Sequence, residues 1–117
     1  MRITSLIALA TAFASLQTSA GEPQRLTGTF TLSDESIVDP RGKAERITHV
    51  RFYLTGKSAA DIYRSMPGTA ALDQCFDDGS RTKVRGDLKC TKNAKGLHEC
   101  WFGVDLRSAK LAPSFVC

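Results

Sequence analysis

The sequence predicts a small α+β domain: an antiparallel β-sheet with one covering helix, in the order β-β-α-β-β-β, stapled by disulfides. Three observations lead there. Apolar and polar residues alternate in five short segments, the period of a half-buried strand. One segment alone, beginning at Ser58, changes to helical spacing. All four cysteines lie in the last 43 residues of a chain of 117, behind an apolar leader.

The leader has the pattern of an export signal. Met1-Arg2 is a short positive start, Ile3 to Leu16 is apolar, and Thr18-Ser19-Ala20 offers the small residues a signal peptidase reads. A membrane span needs ~20 apolar residues, more than this run supplies. The expectation is a cleaved signal peptide over 1–20, a single globular domain over 21–117, and a secreted or periplasmic location with no transmembrane segment after cleavage. Four cysteines in a small exported domain point to two disulfides. Zinc sites bring cysteines in close pairs, whereas the intervals between Cys75, Cys90, Cys100 and Cys117 hold 14, 9 and 16 residues. No metal or other cofactor is implied.

From Arg25 to Leu32, Leu26, Phe30 and Leu32 alternate with threonines, which reads as a strand. Asp39-Pro40-Arg41-Gly42 is a turn signal, because proline presets φ and glycine accepts positive φ. Ile47 to Leu54 is a second strand, completing a hairpin. Ser58 is the expected N-cap of a helix in which Ala59, Ile62, Tyr63 and Met66 share one face, and Pro67-Gly68 stops it. Phe76 to Ser80 reads as a turn. Thr82 to Thr91, His98 to Leu106 and Leu111 to Cys117 complete the sheet.

Aligning the first two of these last three strands puts Cys90 opposite Cys100, Trp101 opposite Lys89, and Asp105 opposite Arg85. Aligning the last two puts Cys100 opposite Cys117 and Leu106 opposite Leu111. Cys75 must then pair with a cysteine on that inner face. The favoured connectivity is Cys75–Cys90 with Cys100–Cys117.

Charge is uneven along the chain. Residues 21–79 carry 7 basic and 9 acidic side chains, while residues 80–117 carry 8 and 3. Arg81, Lys83, Arg85, Lys89, Lys92 and Lys95 crowd into the second part. Strand alternation sends Trp101 to the face away from the cysteines, beside Lys89, with Val116 as its other neighbour. A docking face follows, with Trp101, Lys89 and Arg85 at its centre, Arg81 on the same strand face, and Lys92 and His98 at its rim. Its partner would be acidic: a protein such as an enzyme or toxin, or a polyanion. Two duller readings compete. Lys89 covers Trp101 on a solvated face, or the N-terminal hairpin buries the indole.

Other motifs are weaker. Arg85-Gly86-Asp87 spells an integrin-type tripeptide but falls inside the best alternating strand, which argues for coincidence. Asp73, Asp77 and Asp78 lack the order of a calcium loop. His49, His98, Glu45 and Glu99 could serve acid–base chemistry with Arg51 or Arg85 holding a phosphate, yet no spacing brings them together. The expected function is non-catalytic: an exported recognition, inhibitor or immunity protein. The alternatives are a small secreted hydrolase, most plausibly a nuclease using His49 and His98, and a secreted effector.

Overall fold

A computed structural model describes residues 21–35 and 46–115. The leader over 1–20, the turn at 39–42, Glu45, Val116 and Cys117 lie outside the described residues. The elements are β1 (Gly28–Ser33), β2 (His49–Thr55), α1 (Gly56–Ser65), β3 (Ala71–Leu72), β4 (Arg81–Arg85), β5 (Leu88–Lys92), β6 (His98–Asp105) and β7 (Leu111–Ala112). The strands form one antiparallel sheet in the order β1-β2-β6-β5-β4-β3, with β7 also paired to β6. Among the described residues, an antiparallel sheet with a single helix is the α+β class read from the sequence, with seven strands rather than five.

The first hairpin forms as expected, with Phe30 opposite Phe52 and Leu32 opposite Val50. Residues 25–27 do not extend β1. The Ser58 hydroxyl accepts a hydrogen bond from the Thr27 amide and donates one to the Arg25 carbonyl, which draws this segment toward the helix. Ser58 is therefore inside α1 rather than its N-cap. That place falls to Thr55, with no side-chain cap bond. The chain passes from β2 into α1 without a loop, and Gly56 at φ 60° allows the sharp change of direction. Met66 ends the helix, its amide donating to the carbonyls of Ile62 and Tyr63.

The strand expected over 82–91 is instead a hairpin. Gly86 at φ 56° and Asp87 reverse the chain between β4 and β5 in a two-residue turn with glycine first. Opposed residues in a sheet share a face, and here Lys83 faces Cys90, Arg85 faces Leu88, and Val84 faces Lys89. The reversal therefore moves Arg81, Lys83 and Arg85 to the cysteine face, away from Lys89. Arg85 faces Leu88 across this hairpin, so its expected pairing with Asp105 does not occur; Asp105 faces His49 on β2. At the end of the chain, Leu111 faces Val104 rather than Leu106. A tight turn takes up the difference, with Ala109 at φ 58° and its amide donating to the Asp105 carbonyl.

The core lies between α1 and the sheet. Leu54, Ala59, Met66, Cys90 and Cys100 are buried, flanked by Ile62, Tyr63, Leu88 and Phe102. Cys90 and Cys100 are joined to each other, their Cα atoms 4.1 Å apart as directly opposed strand residues can be. This overturns both favoured pairings, Cys75–Cys90 and Cys100–Cys117. The predicted register already set Cys90 and Cys100 face to face, and proximity decides the bond. Cys75 is also disulfide-bonded.

Candidate docking surface

On the helix side, three adjacent strands bring Arg81, Lys92 and His98 into one row: Arg81 directly opposes Lys92, and Lys92 directly opposes His98. The last turn of α1 adds Arg64. His98 is buried, with its ring edge-on to Tyr63 at 5.1 Å. Burial lowers its pKa, and the charges of Arg64 and Lys92 lower it further. A neutral imidazole thus lies beneath a positive rim.

Two further cations on this face are committed to the fold. Lys83 Nζ donates to the carbonyls of Tyr63 and Met66, each at 3.0 Å, and sits 4.8 Å from the centre of the Tyr63 ring. These carbonyls belong to the helix C-terminus, where a cation is electrostatically favoured. Arg85 donates to the Pro67 carbonyl at 3.2 Å. By contrast, Arg81 and Lys92 are exposed and make no ion pair among the described residues.

The reverse face is closed over Trp101. The indole packs 5.0 Å from Phe115, 5.6 Å from Tyr53 and 6.4 Å from Phe76, centre to centre. Lys89 lies opposite Trp101 as expected, but its ammonium sits 3.7 Å from the centre of the Phe115 ring and 3.1 Å from Asp73. The Asp73 side chain is only 2% exposed. Burial opposes its charge, yet hydrogen bonds from Thr82, Lys89 and the amides of Cys75 and Phe76 outweigh that and bring its pKa down to about 2. The expected docking face is thus split. Trp101 and Lys89 are on one side of the sheet; Arg81, Arg85, Lys92 and His98 are on the other.

The two histidines are also separated. His49 opposes Asp105 on the reverse face, at the other end of β6 from His98. Seven residues of strand correspond to about 23 Å, too far for one acid–base pair. His49 Nδ1 meets the Thr48 hydroxyl at 2.8 Å, and its Nε2 is 3.8 Å from Asp105. Asp105 is held down to about 2, chiefly by its side-chain hydrogen bond from Arg107. Arg51 is tied to Ser33 and to backbone carbonyls. Glu99 opposes Thr55.

Asp78 accepts from the Ser80 amide and hydroxyl, which is turn chemistry. No group of three metal-ligating side chains converges among the described residues. Arg85-Gly86-Asp87 lies at an exposed hairpin tip, with Arg85 ending β4 and Gly86-Asp87 forming the turn, so the ground that it lies inside a strand is removed. Its arginine is nevertheless held by Pro67.

Clefts open on the surface among the described residues. One of about 510 Å³ runs between the N-terminal segment and α1, past Gln24, Arg25, Lys57 and Asp61. Another of about 470 Å³ follows β3 and β4, past Asp73, Lys83, Arg85 and Lys89. The cations of the second are those already bonded within the fold.

Sequence reasoning did not place Arg64 and Tyr63 beside His98, nor Asp73, Phe76 and Phe115 around Lys89 and Trp101. A signal existed for part of this. A helix stopped by Pro67-Gly68 leaves carbonyls that attract basic side chains, and Lys83 answers that demand. No described helix is long and apolar enough to cross a membrane. No protein-family model, curated protein or solved structure matches the chain.

Proposed function

We propose that this chain is an exported, non-catalytic binding protein that docks an acidic protein partner through the helix-side row of Arg81, Lys92 and Arg64. In this reading it acts outside the cytoplasm as a recognition, inhibitor or immunity protein. One observation carries the proposal: Arg81 stands directly opposite Lys92. Like charges in that relation destabilise a sheet, by about 0.2–1 kcal/mol on the scale of cross-strand pairs. An anionic partner turns the cost into an attraction, since both side chains are exposed on directly opposed residues. A domain crosslinked at its core also presents this surface preorganised, which lowers the entropy lost on binding.

The test compares the wild-type chain with Arg81→Glu/Lys92→Glu as bait for proteins of the same extracytoplasmic extract. The expected partner is acidic, binds more weakly at higher salt, and loses at least about tenfold in affinity to the double variant. A partner retained equally by both baits removes this surface from the account. Intact mass tests the export reading: the accumulated protein is expected to begin at Gly21.

A further inference from the structure

We infer that β1 is a self-pairing edge, through which two copies of this chain join into one continuous antiparallel sheet. The two ends of the sheet are built differently. At one end β3 is only two residues long, and the chain leaves it at once into the buried Asp73 turn. At the other, β1 runs six residues, Gly28 to Ser33, with no charge and no proline. Short edges, charges and prolines are the usual protections against edge pairing, and β1 has none of them. Among the described residues nothing pairs with its outer side.

The outer side is prepared for pairing. The Ser33 carbonyl accepts from the Thr48 amide, and just before the strand the Thr27 carbonyl accepts from the Thr55 amide, so the odd-numbered residues of β1 turn their backbone groups toward the β2 side. Gly28, Phe30 and Leu32 then present theirs outward. Phe30 is 64% exposed and Leu32 48%. Phe30 ends a row of three rings, 6.5 Å from Phe52, which stacks on Phe102 at 4.8 Å. A two-fold axis at Phe30 continues that row into the second copy and sets Thr29 against Thr31, a favourable cross-strand pair.

The register about Phe30 selects a second copy as the occupant, because the edge is then its own complement. Two copies, each with a net charge of +4, repel one another, and the repulsion is least where they meet on an uncharged surface. β1 is such a surface, and pairing through it places the basic strands β4 and β5 at opposite ends of the combined sheet. Six residues make an edge of about 20 Å, so the association belongs to the weak, concentration-dependent class.

Sedimentation of the full-length chain, expressed in an exporting host and purified as it accumulates, tests the inference. The wild type is expected to dimerise at micromolar concentrations. Thr29→Lys/Thr31→Lys and Thr29→Glu/Thr31→Glu should each weaken the dimer at least about tenfold by placing like charges across the axis. Mixing the two folded variants should restore it, because opposite charges then meet, and this outcome separates edge loss from misfolding. A wild type still monomeric at about 100 µM overturns the inference. So does a dimer that survives both variants, or a mixture of folded variants that stays monomeric.

Discussion

On the helix side the sheet is closed by apolar groups: Leu54, Ala59, Met66 and the Cys90–Cys100 bridge touch one another without a buried charge among them. On the reverse side Trp101, Tyr53, Phe76 and Phe115 form an aromatic cluster, and the Lys89 ammonium beside it is shared between the Phe115 ring and the buried Asp73 carboxylate. Lys83 and Lys89, six residues apart, divide between these surfaces. One covers a helix end and the other completes an aromatic cluster. The contrast shows how a thin domain closes two faces with one helix. The helix covers the first, and the second is roofed by the segment around Phe76 and by Phe115, where the charge of Lys89 is neutralised by Asp73.

The largest expected effect breaks the apolar face. Replacing both Cys90 and Cys100 by alanine frees a cross-link spanning 10 residues of sequence, worth about 3 kcal/mol by chain entropy, and empties part of the core. Urea denaturation should show a loss of about 4 kcal/mol; less than about 1 would mean the bridge is dispensable. Trp101→Ala attacks the other face. Because the indole is half-buried among three rings, the expected loss is about 2–3 kcal/mol, below that of a fully buried tryptophan. A neutral result would return Trp101 to the docking surface.

Lys89→Met sharpens the contrast, since it leaves the Asp73 carboxylate buried without its cation. About 2 kcal/mol is expected at pH 7. Asp73 has a native pKa of about 2 against an ordinary 3.8, so its contribution is present above about pH 4 and is lost as pH falls through 2. Wild type and variant should therefore converge in stability below pH 2, and a constant gap would exclude the ion pair as the cause. Lys83→Met, losing two hydrogen bonds to helix carbonyls but no buried charge partner, should cost about 1 kcal/mol. The smallest effect has the opposite sign. Arg81→Glu replaces a like-charge pair by an attractive one with Lys92 and should raise stability by about 0.5 kcal/mol.

Local patterns were legible because their physical causes are local. Alternation revealed the first hairpin, the helical period revealed α1, and Pro67-Gly68 its end. The β5–β6 register, Lys89 to Trp101 and Cys90 to Cys100, was also readable, because the inward apolar positions of both strands allow only a few alignments. The sidedness of the basic cluster was not. A two-residue turn at Gly86-Asp87 leaves the alternation of the sequence unbroken while it reverses the chain, so Arg81 and Arg85 change faces with no sign in the pattern. The disulfide followed from distance between strands, which cysteine spacing does not encode. The sequence by itself determined the class of fold, its one helix and its excess of charge near the C-terminus, all consequences of short-range periodicity and composition. Tertiary structure alone decided which cations are bonded within the fold and which are open to a partner, because that depends on which residues oppose one another across strands.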